Sequence, residues 1–376
     1  MDSLDAVLKK SGADAFVLYA SSDDPDMRYL TRIVMHDPFI FIKRLRQPGI
    51  IIVSQMEYER ACRESTAAVM TRTQAGLPDI LKKEKNPKRA TAQMIAGQTG
   101  KTILVSPRFP AALLRALEEE TTRVIVDDGT VERIRAKKSR IEIRLLKKVQ
   151  KNTENAMALG ISLVRDAKVR KEVLYHGGVP LTSESVRTAI HKHLMDHGCR
   201  AVETIVSCGN DTALPHIIGS GPLRAHQPIV IDMFPQDEIT GYFADMTRTV
   251  SKGTPDRQIL DMYAAVREAQ HLGISRIKPG VTGADVHQSV VDYFRDQGYE
   301  SNSRGFVHNL GHGVGLQVHE LPTIGPAGKA LKSGHVITVE PGLYYTGVGG
   351  VRLEDMGVVT ASGFSNFTRF TEELIV

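Results

Sequence analysis

Along the first third of the chain, short apolar runs alternate with amphipathic stretches, a pattern that predicts a mixed α/β domain. ADAFVLY (13 to 19) and PGIIIVS (48 to 54) are bounded by glycine, proline or polar residues and predict buried strands. LPDILKKEK and SPRFPAALLRALEEE repeat their apolar residues at three and four and predict helices. RVIVDD (123 to 128) predicts another strand and leads into RIRAKKSRIEIRLLKKVQK (133 to 151). There Ile141, Leu145, Leu146 and Val149 recur at helical spacing, so one long helix is expected from Arg140 to about Val169, its basic residues on a solvated face. The domain boundary is expected near residue 137, giving domains of 1–137 and 138–376. Beyond it, a helix over SESVRTAIHKHLMDHG and strands over IVIDMF, VITVEP and ELIV, with glycines gathered between 305 and 350, predict an α+β domain rather than a βαβ series.

Composition narrows the class. A chain of 376 residues exceeds one comfortable core, in keeping with two domains. Hydrophobic residues at 41% and charged residues at 24% are those of a soluble globular protein. No apolar run could span a bilayer and no signal-peptide pattern opens the sequence, so a cytoplasmic protein without membrane contact is expected. Cys62, Cys199 and Cys208 are odd in number and lack metal-finger spacing, which predicts free, inert thiols in a reducing compartment. The net charge of +5 raises the question of nucleic acid, but the excess sits in the one basic stretch, and nucleic-acid binding is disfavoured.

Five residues are candidate metal ligands because each adjoins a strand-like run or a glycine-rich turn, where a side chain is held firmly and backbone can approach. Asp232 ends PIVIDMF, Asp245 lies in GYFADMTRTV, His312 in HNLGHGVGLQVHE, Glu340 in VITVEPGLYY and Glu354 in GVRLEDMG. Neighbouring strands could aim Asp232 and Asp245 into one space, where two carboxylates repel unless a proton or cation intervenes. Four carboxylates and one imidazole favour Mn²⁺, Co²⁺ or Fe²⁺ and do not forbid Zn²⁺. Singly, each has a plainer reading as a turn former or surface ion-pair residue.

Taken in order, PHIIGSG, IVIDMF, GYFADMTRTV, IKPGVTG, GHGVGLQVHE, VITVEPGLY and VRLEDMG resemble the pita-bread metallopeptidases over roughly residues 138 to 376. Residues 1 to about 137 resemble the small N-terminal domain of the prolidase and creatinase branch, best at YLT (29 to 31). The resemblance implies two divalent metal ions, Mn²⁺ or Co²⁺ first, held by Asp232, Asp245, His312, Glu340 and Glu354, with Asp245 and Glu354 bridging. It implies hydrolysis of Xaa-Pro peptide bonds by a hydroxide held between the metals, by a dipeptidase or an aminopeptidase P, in a homodimer. Glu340 would relay protons, His319 would steady the tetrahedral intermediate, and His216 would be a catalytic histidine of the substrate pocket. His308, four residues before His312, is expected either to line the pocket or only to support the fold. Arg352 would bind substrate or hold a carboxylate, unless it merely pairs with Asp355.

The chain also departs from the family. Asp232 and Asp245 stand thirteen apart, two more than usual, and Met233, Phe234 and Pro235 replace the small residue and glycine common after the first Asp. A longer hairpin is expected, with Asp237 a solvated turn residue rather than an alternative ligand. Glu340 and Glu354 stand fourteen apart, as in prolidase and aminopeptidase P, which disfavours a methionine aminopeptidase. All five ligand types are present, which disfavours the metal-free creatinases and the non-catalytic binding modules built on this fold.

Overall fold

Alternate residues of β1 (Ala15–Ala20) point to opposite sides of a six-stranded sheet, and both sides are buried. The computed structural model describes residues 3–376, and the chain divides into two units, Met1–Arg135 and Ala136–Val376. In the first unit the sheet also contains β2 (Phe39–Arg44), β3 (Gly49–Val53), β4 (Ala68–Thr71), β5 (Thr102–Val105) and β6 (Arg123–Val126), in the order β4-β3-β2-β1-β5-β6. Phe16 and Leu18 pack with Phe41, Ile51 and Leu104 on one side, while Val17 packs with Ile42, Ile103 and Leu117 on the other. Burial on two faces is why these strands read as continuous apolar runs. The expected helices lie at Leu77–Lys83 and Ala111–Glu120.

The second unit begins with a 26-residue helix, Arg140–Arg165. Ser139 starts it with a reciprocal cap: its hydroxyl accepts from Glu142 N, and its own N–H donates to the Glu142 carboxylate at 2.8 Å. The buried stripe is Leu146, Val149, Thr153, Met157, Ile161 and Val164. Ile141, expected on that stripe, is 61% exposed, because Glu142 takes the inward position and accepts the Tyr242 hydroxyl at 2.9 Å. The helix stops at Arg165, short of Val169, where the chain turns into a three-stranded meander opening with Lys168–Arg170.

Three groups of strands carry the site. β7 (Ile205–Cys208), β8 (Ile229–Met233) and β9 (Met246–Val250) form one antiparallel sheet. β10 (Gly311–Gly313), β11 (Glu320–Ile324), β12 (Val336–Val339), β15 (Asp355–Thr360) and β16 (Gly363–Asn366) form another, in the order β11-β10-β12-β15-β16. β13 (Gly342–Tyr345) and β14 (Gly349–Arg352) pair as a hairpin. The main core packs Val266 and Val290, from the helices Arg257–Arg276 and Gly283–Asp296, against Leu310, Ile337, Val339 and Leu353. Thr338 and Glu340 alternate with Ile337 and Val339, so the polar pair faces away from that core.

Two expectations are corrected here. ELIV forms no strand: Ile375 makes a single parallel bridge to Ser251, because β9 ends at Val250 and offers no ladder to extend. The basic stretch is not uniformly solvated either. Arg135 is buried against Asp26 at 2.6 Å, and Lys138 is buried against Glu320 at 2.7 Å.

Candidate metal centre

Strand pairing assembles the ligand cluster. Asp232 on β8 lies opposite Thr247 of β9, and Asp245 directly precedes β9, so the hairpin presents both carboxylates together. His312 sits on β10, where the pairing with β11 shifts: His312 faces Thr323, but Gly313 faces Glu320. Glu340 follows β12, and Glu354 lies between β14 and β15. Ligand atoms of Asp245, His312 and Glu354 lie within 4.8 Å of one another. His312 Nε2 is also 3.1 Å from Glu340 Oε1 and 3.7 Å from Asp245 Oδ2. The glycines flanking His312 are required for this closeness: a Cβ on Gly311 would stand 2.1 Å from Thr338 O, and one on Gly313 would stand 2.2 Å from Leu321 O.

The electrostatics of the cluster ask for a cation. Burial, then the charges of Glu354, Asp232 and Glu340, holds the Asp245 carboxyl well above the ordinary carboxylate range. Burial, then Glu340 and Asp232, does the same to Glu354. Burial raises Glu340 to about 8, with Arg352 opposing and Asp232 adding to the rise. Asp232 Oδ1 is buried without a hydrogen-bond partner. Crowded buried carboxylates, one orphaned acceptor and a single imidazole fit hard or borderline divalent ions. His312 suits them as a neutral ligand, since burial lowers its pKa.

Around the cluster the expected site residues separate into two groups. The His319 ring meets His312 edge-on at 4.2 Å, and burial together with His312 pushes it down to about 4. His216 is exposed, and its charge acts on both His308 and His319, which places it beside them. Leu214, Ile217 and Ile218 flank it in sequence and are also exposed, giving it an apolar margin. His308 is turned inward: its Nδ1 lies 2.8 Å from Asn309 O and its Nε2 lies 3.0 Å from the Tyr344 hydroxyl. Burial pushes it down to about 3, so it is neutral.

Of the places expected for Arg352, the structure shows the carboxylate-holding one, on Asp232 rather than Asp355. Its guanidinium is buried, with Nη2 on Asp232 Oδ2 at 2.7 Å, Nη1 on the Tyr344 hydroxyl at 2.8 Å and Nε on Thr247 Oγ1 at 3.2 Å. With every nitrogen engaged it braces Asp232, and Asp355 pairs instead with Arg248 at 2.8 Å. Sequence reasoning missed Tyr344, which joins His308 to Arg352, and Thr247, whose hydroxyl donates to Glu354 Oε2 at 2.8 Å. Neither carries a local signal beyond a polar group at an alternating strand position. Asp237 stays out of the cluster, but it is buried rather than solvated. It accepts from the Thr240 N–H and hydroxyl, both at 2.8 Å, and tethers the longer hairpin turn.

Comparison with known proteins places this geometry. Residues 144–361 match metallopeptidase family M24, and residues 1–137 match the creatinase/prolidase N-terminal domain. An Xaa-Pro dipeptidase from Lactobacillus helveticus is 32% identical over 247 residues, 65% of this chain and 63% of that protein. The crystal structure of the prolidase from Pyrococcus horikoshii OT3 superposes with a TM-score of 0.84 over 99% of this chain and 98% of that one, at 24% identity, which is a likeness of fold. An X-Pro aminopeptidase from Thermotoga maritima MSB8 superposes with a TM-score of 0.80 at 25% identity, covering 97% and 98% of the two chains.

Proposed function

Because the chain belongs to metallopeptidase family M24 and folds as an N-terminal creatinase-type domain followed by a pita-bread domain, we propose that it hydrolyses Xaa-Pro peptide bonds as a dipeptidase or an aminopeptidase. The observation that carries this reading is the cluster itself, in which Asp245, His312 and Glu354 converge beside Glu340 and the orphaned Asp232 Oδ1. Asp232, Asp245, His312, Glu340 and Glu354 would hold two divalent ions, Mn²⁺ or Co²⁺ first among them. When bound, such a pair supplies a water of lowered pKa and polarises the scissile carbonyl.

The remaining chemistry belongs to the side chains. An Xaa-Pro bond is a tertiary amide without an N–H, so the strand-type recognition used on ordinary peptides is unavailable and the ring must be held by shape. The apolar margin at Leu214, Ile217 and Ile218 supports such a contact. Glu340, 3.1 Å from His312 Nε2, is in place to take a proton and return it to the leaving proline nitrogen. His319, held neutral by burial, and His216 beside it can donate to oxygen charge that develops at the carbonyl. We further take 1–137 and 138–376 as the working domains, in a cytoplasmic homodimer. Its three cysteines are free, as a reducing compartment requires, and its mass in solution is checked by light scattering.

The test is proline release by protein stripped of metal and reloaded with Mn²⁺ or Co²⁺, offered a Xaa-Pro dipeptide, a Xaa-Pro-Yaa tripeptide and a Met-Ala peptide. Cleavage of the dipeptide alone identifies a dipeptidase, and cleavage of the tripeptide an aminopeptidase. Silence on all three with two metals bound refutes the substrate assignment.

A further inference from the structure

Lys138 Nζ lies 2.7 Å from Glu320 Oε1, and each side chain is only 1% exposed. A pair so deeply buried contributes little net stability over two well-packed apolar residues, because removing both charges from water offsets their attraction. What it does supply is a directional link between two fixed points.

Both ends of that link adjoin the site. Glu320 begins β11, immediately after His319, and lies opposite Gly313, the neighbour of His312 on β10. Side chains alternate along a strand, so Glu320 points to the buried side with Pro322 and Ile324, and His319 is the residue that leads into it. The Glu320 carboxylate also underlies the loop to His319, since a Cβ on Gly315 would stand 2.3 Å from Glu320 Oε1. At the other end, Lys138 N donates to Gly334 O at 2.9 Å, and Lys137 bridges to His335. That turn enters β12, which Glu340 follows. Lys138 therefore ties the start of the strand after His319 to the turn before the strand that leads to Glu340. The His319 imidazole makes no hydrogen bond among the described residues, and its ring contact is with His312, so its aim depends on the backbone beneath it.

We propose that Lys138, through Glu320, is a positioning residue that holds His319 over the metal cluster. The proposal rests on the Xaa-Pro peptidase reading and on the role of His319 within it. Lys138 Nζ bonds to Glu320 and to Ala136 O rather than to any of the five proposed ligands, so its replacement separates turnover from metal binding.

The experiment compares Lys138→Met, Lys138→Arg and His319→Ala, alone and combined, in the full-length metal-loaded protein. Lys138→Met is expected to lower kcat by roughly 10- to 100-fold, the scale of a small misplacement of a reacting group, with metal content and KM near wild type. Lys138→Arg, which keeps the charge, is expected to recover most of the rate. In the His319→Ala background Lys138→Met should cost nothing further, because residues acting through one another are not additive. Should Lys138→Met fail to fold, the variant Lys138→Met with Glu320→Gln, which strands no charge, carries the same comparison. A folded variant with full turnover, or an equal loss in both backgrounds, overturns the inference alone. A wild-type protein silent on every Xaa-Pro peptide overturns the peptidase reading and this inference with it.

Discussion

Arg352 Nη2 donates to Asp232 Oδ2 at 2.7 Å, with the two side chains 5% and 12% exposed. The contact leaves Asp232 Oδ1 pointing free, so the arginine selects which oxygen is offered to a cation. Replacing Arg352 by Met removes one partner of a buried pair, a change that costs about 3–5 kcal/mol in comparable settings. It is also expected to weaken metal binding by about 10- to 100-fold, the usual penalty for losing a residue that orients a ligand. Metal titration and thermal unfolding read the two effects separately. Wild-type metal affinity in a folded variant would show that Asp232 is oriented without Arg352.

Glu340→Gln preserves shape but removes the group that can exchange protons. Turnover should fall by roughly 10²- to 10⁴-fold, the usual range for general acid-base catalysis, in a protein that still folds. His312→Ala should lose metal and activity together, since it removes the lone imidazole of the cluster. Full metal occupancy with normal turnover in His312→Ala would refute its assignment as a ligand.

Metal removal should make stability pH-dependent in a defined direction. The Glu340 carboxyl, raised by burial to about 8, keeps its proton in the folded apo protein and loses it in the unfolded chain at neutral pH. The folded state then binds more protons, so its stability falls as pH rises through 8. Unfolding of chelator-treated protein between pH 7 and 8.5 should show this decline, a window in which the buried histidines are neutral in both states. Adding Mn²⁺ should flatten the curve and raise the melting temperature more at pH 8.5 than at pH 7. A chelated protein equally stable across the window would place the Glu340 proton elsewhere.

Gly313→Ala tests why glycine flanks His312, the candidate metal ligand. The new methyl would stand 2.2 Å from Leu321 O, a backbone atom that cannot swing aside. β10 and β11 must separate, so the variant is expected to be poorly folded or, if folded, depleted in metal. An unperturbed melting temperature would mean the strands yield more easily than their spacing indicates.

Local patterning alone carried the elements a long way. The apolar runs at 13 to 19 and 48 to 54 are strands because both faces of their sheet are covered, and the Ser139–Glu142 cap starts the long helix where periodicity placed it. Patterning failed where a polar group is buried by a distant partner. Nothing near Arg135 or Lys138 announces Asp26 or Glu320, and a run of basic residues looks solvated until those partners appear.

By itself, the sequence determined the order of the segments that carry the candidate ligands and the kinds of donor each offers, and its resemblance to a metallopeptidase family led to the expectation that they share one site. Only the tertiary structure decided that Arg352 reaches across 120 residues to Asp232, that Tyr344 links it to His308, and that Lys138 meets Glu320 beneath His319. The physical reason is that periodicity reports which way a side chain faces along its own element, whereas a buried charge is matched by whatever register and sheet order bring to it.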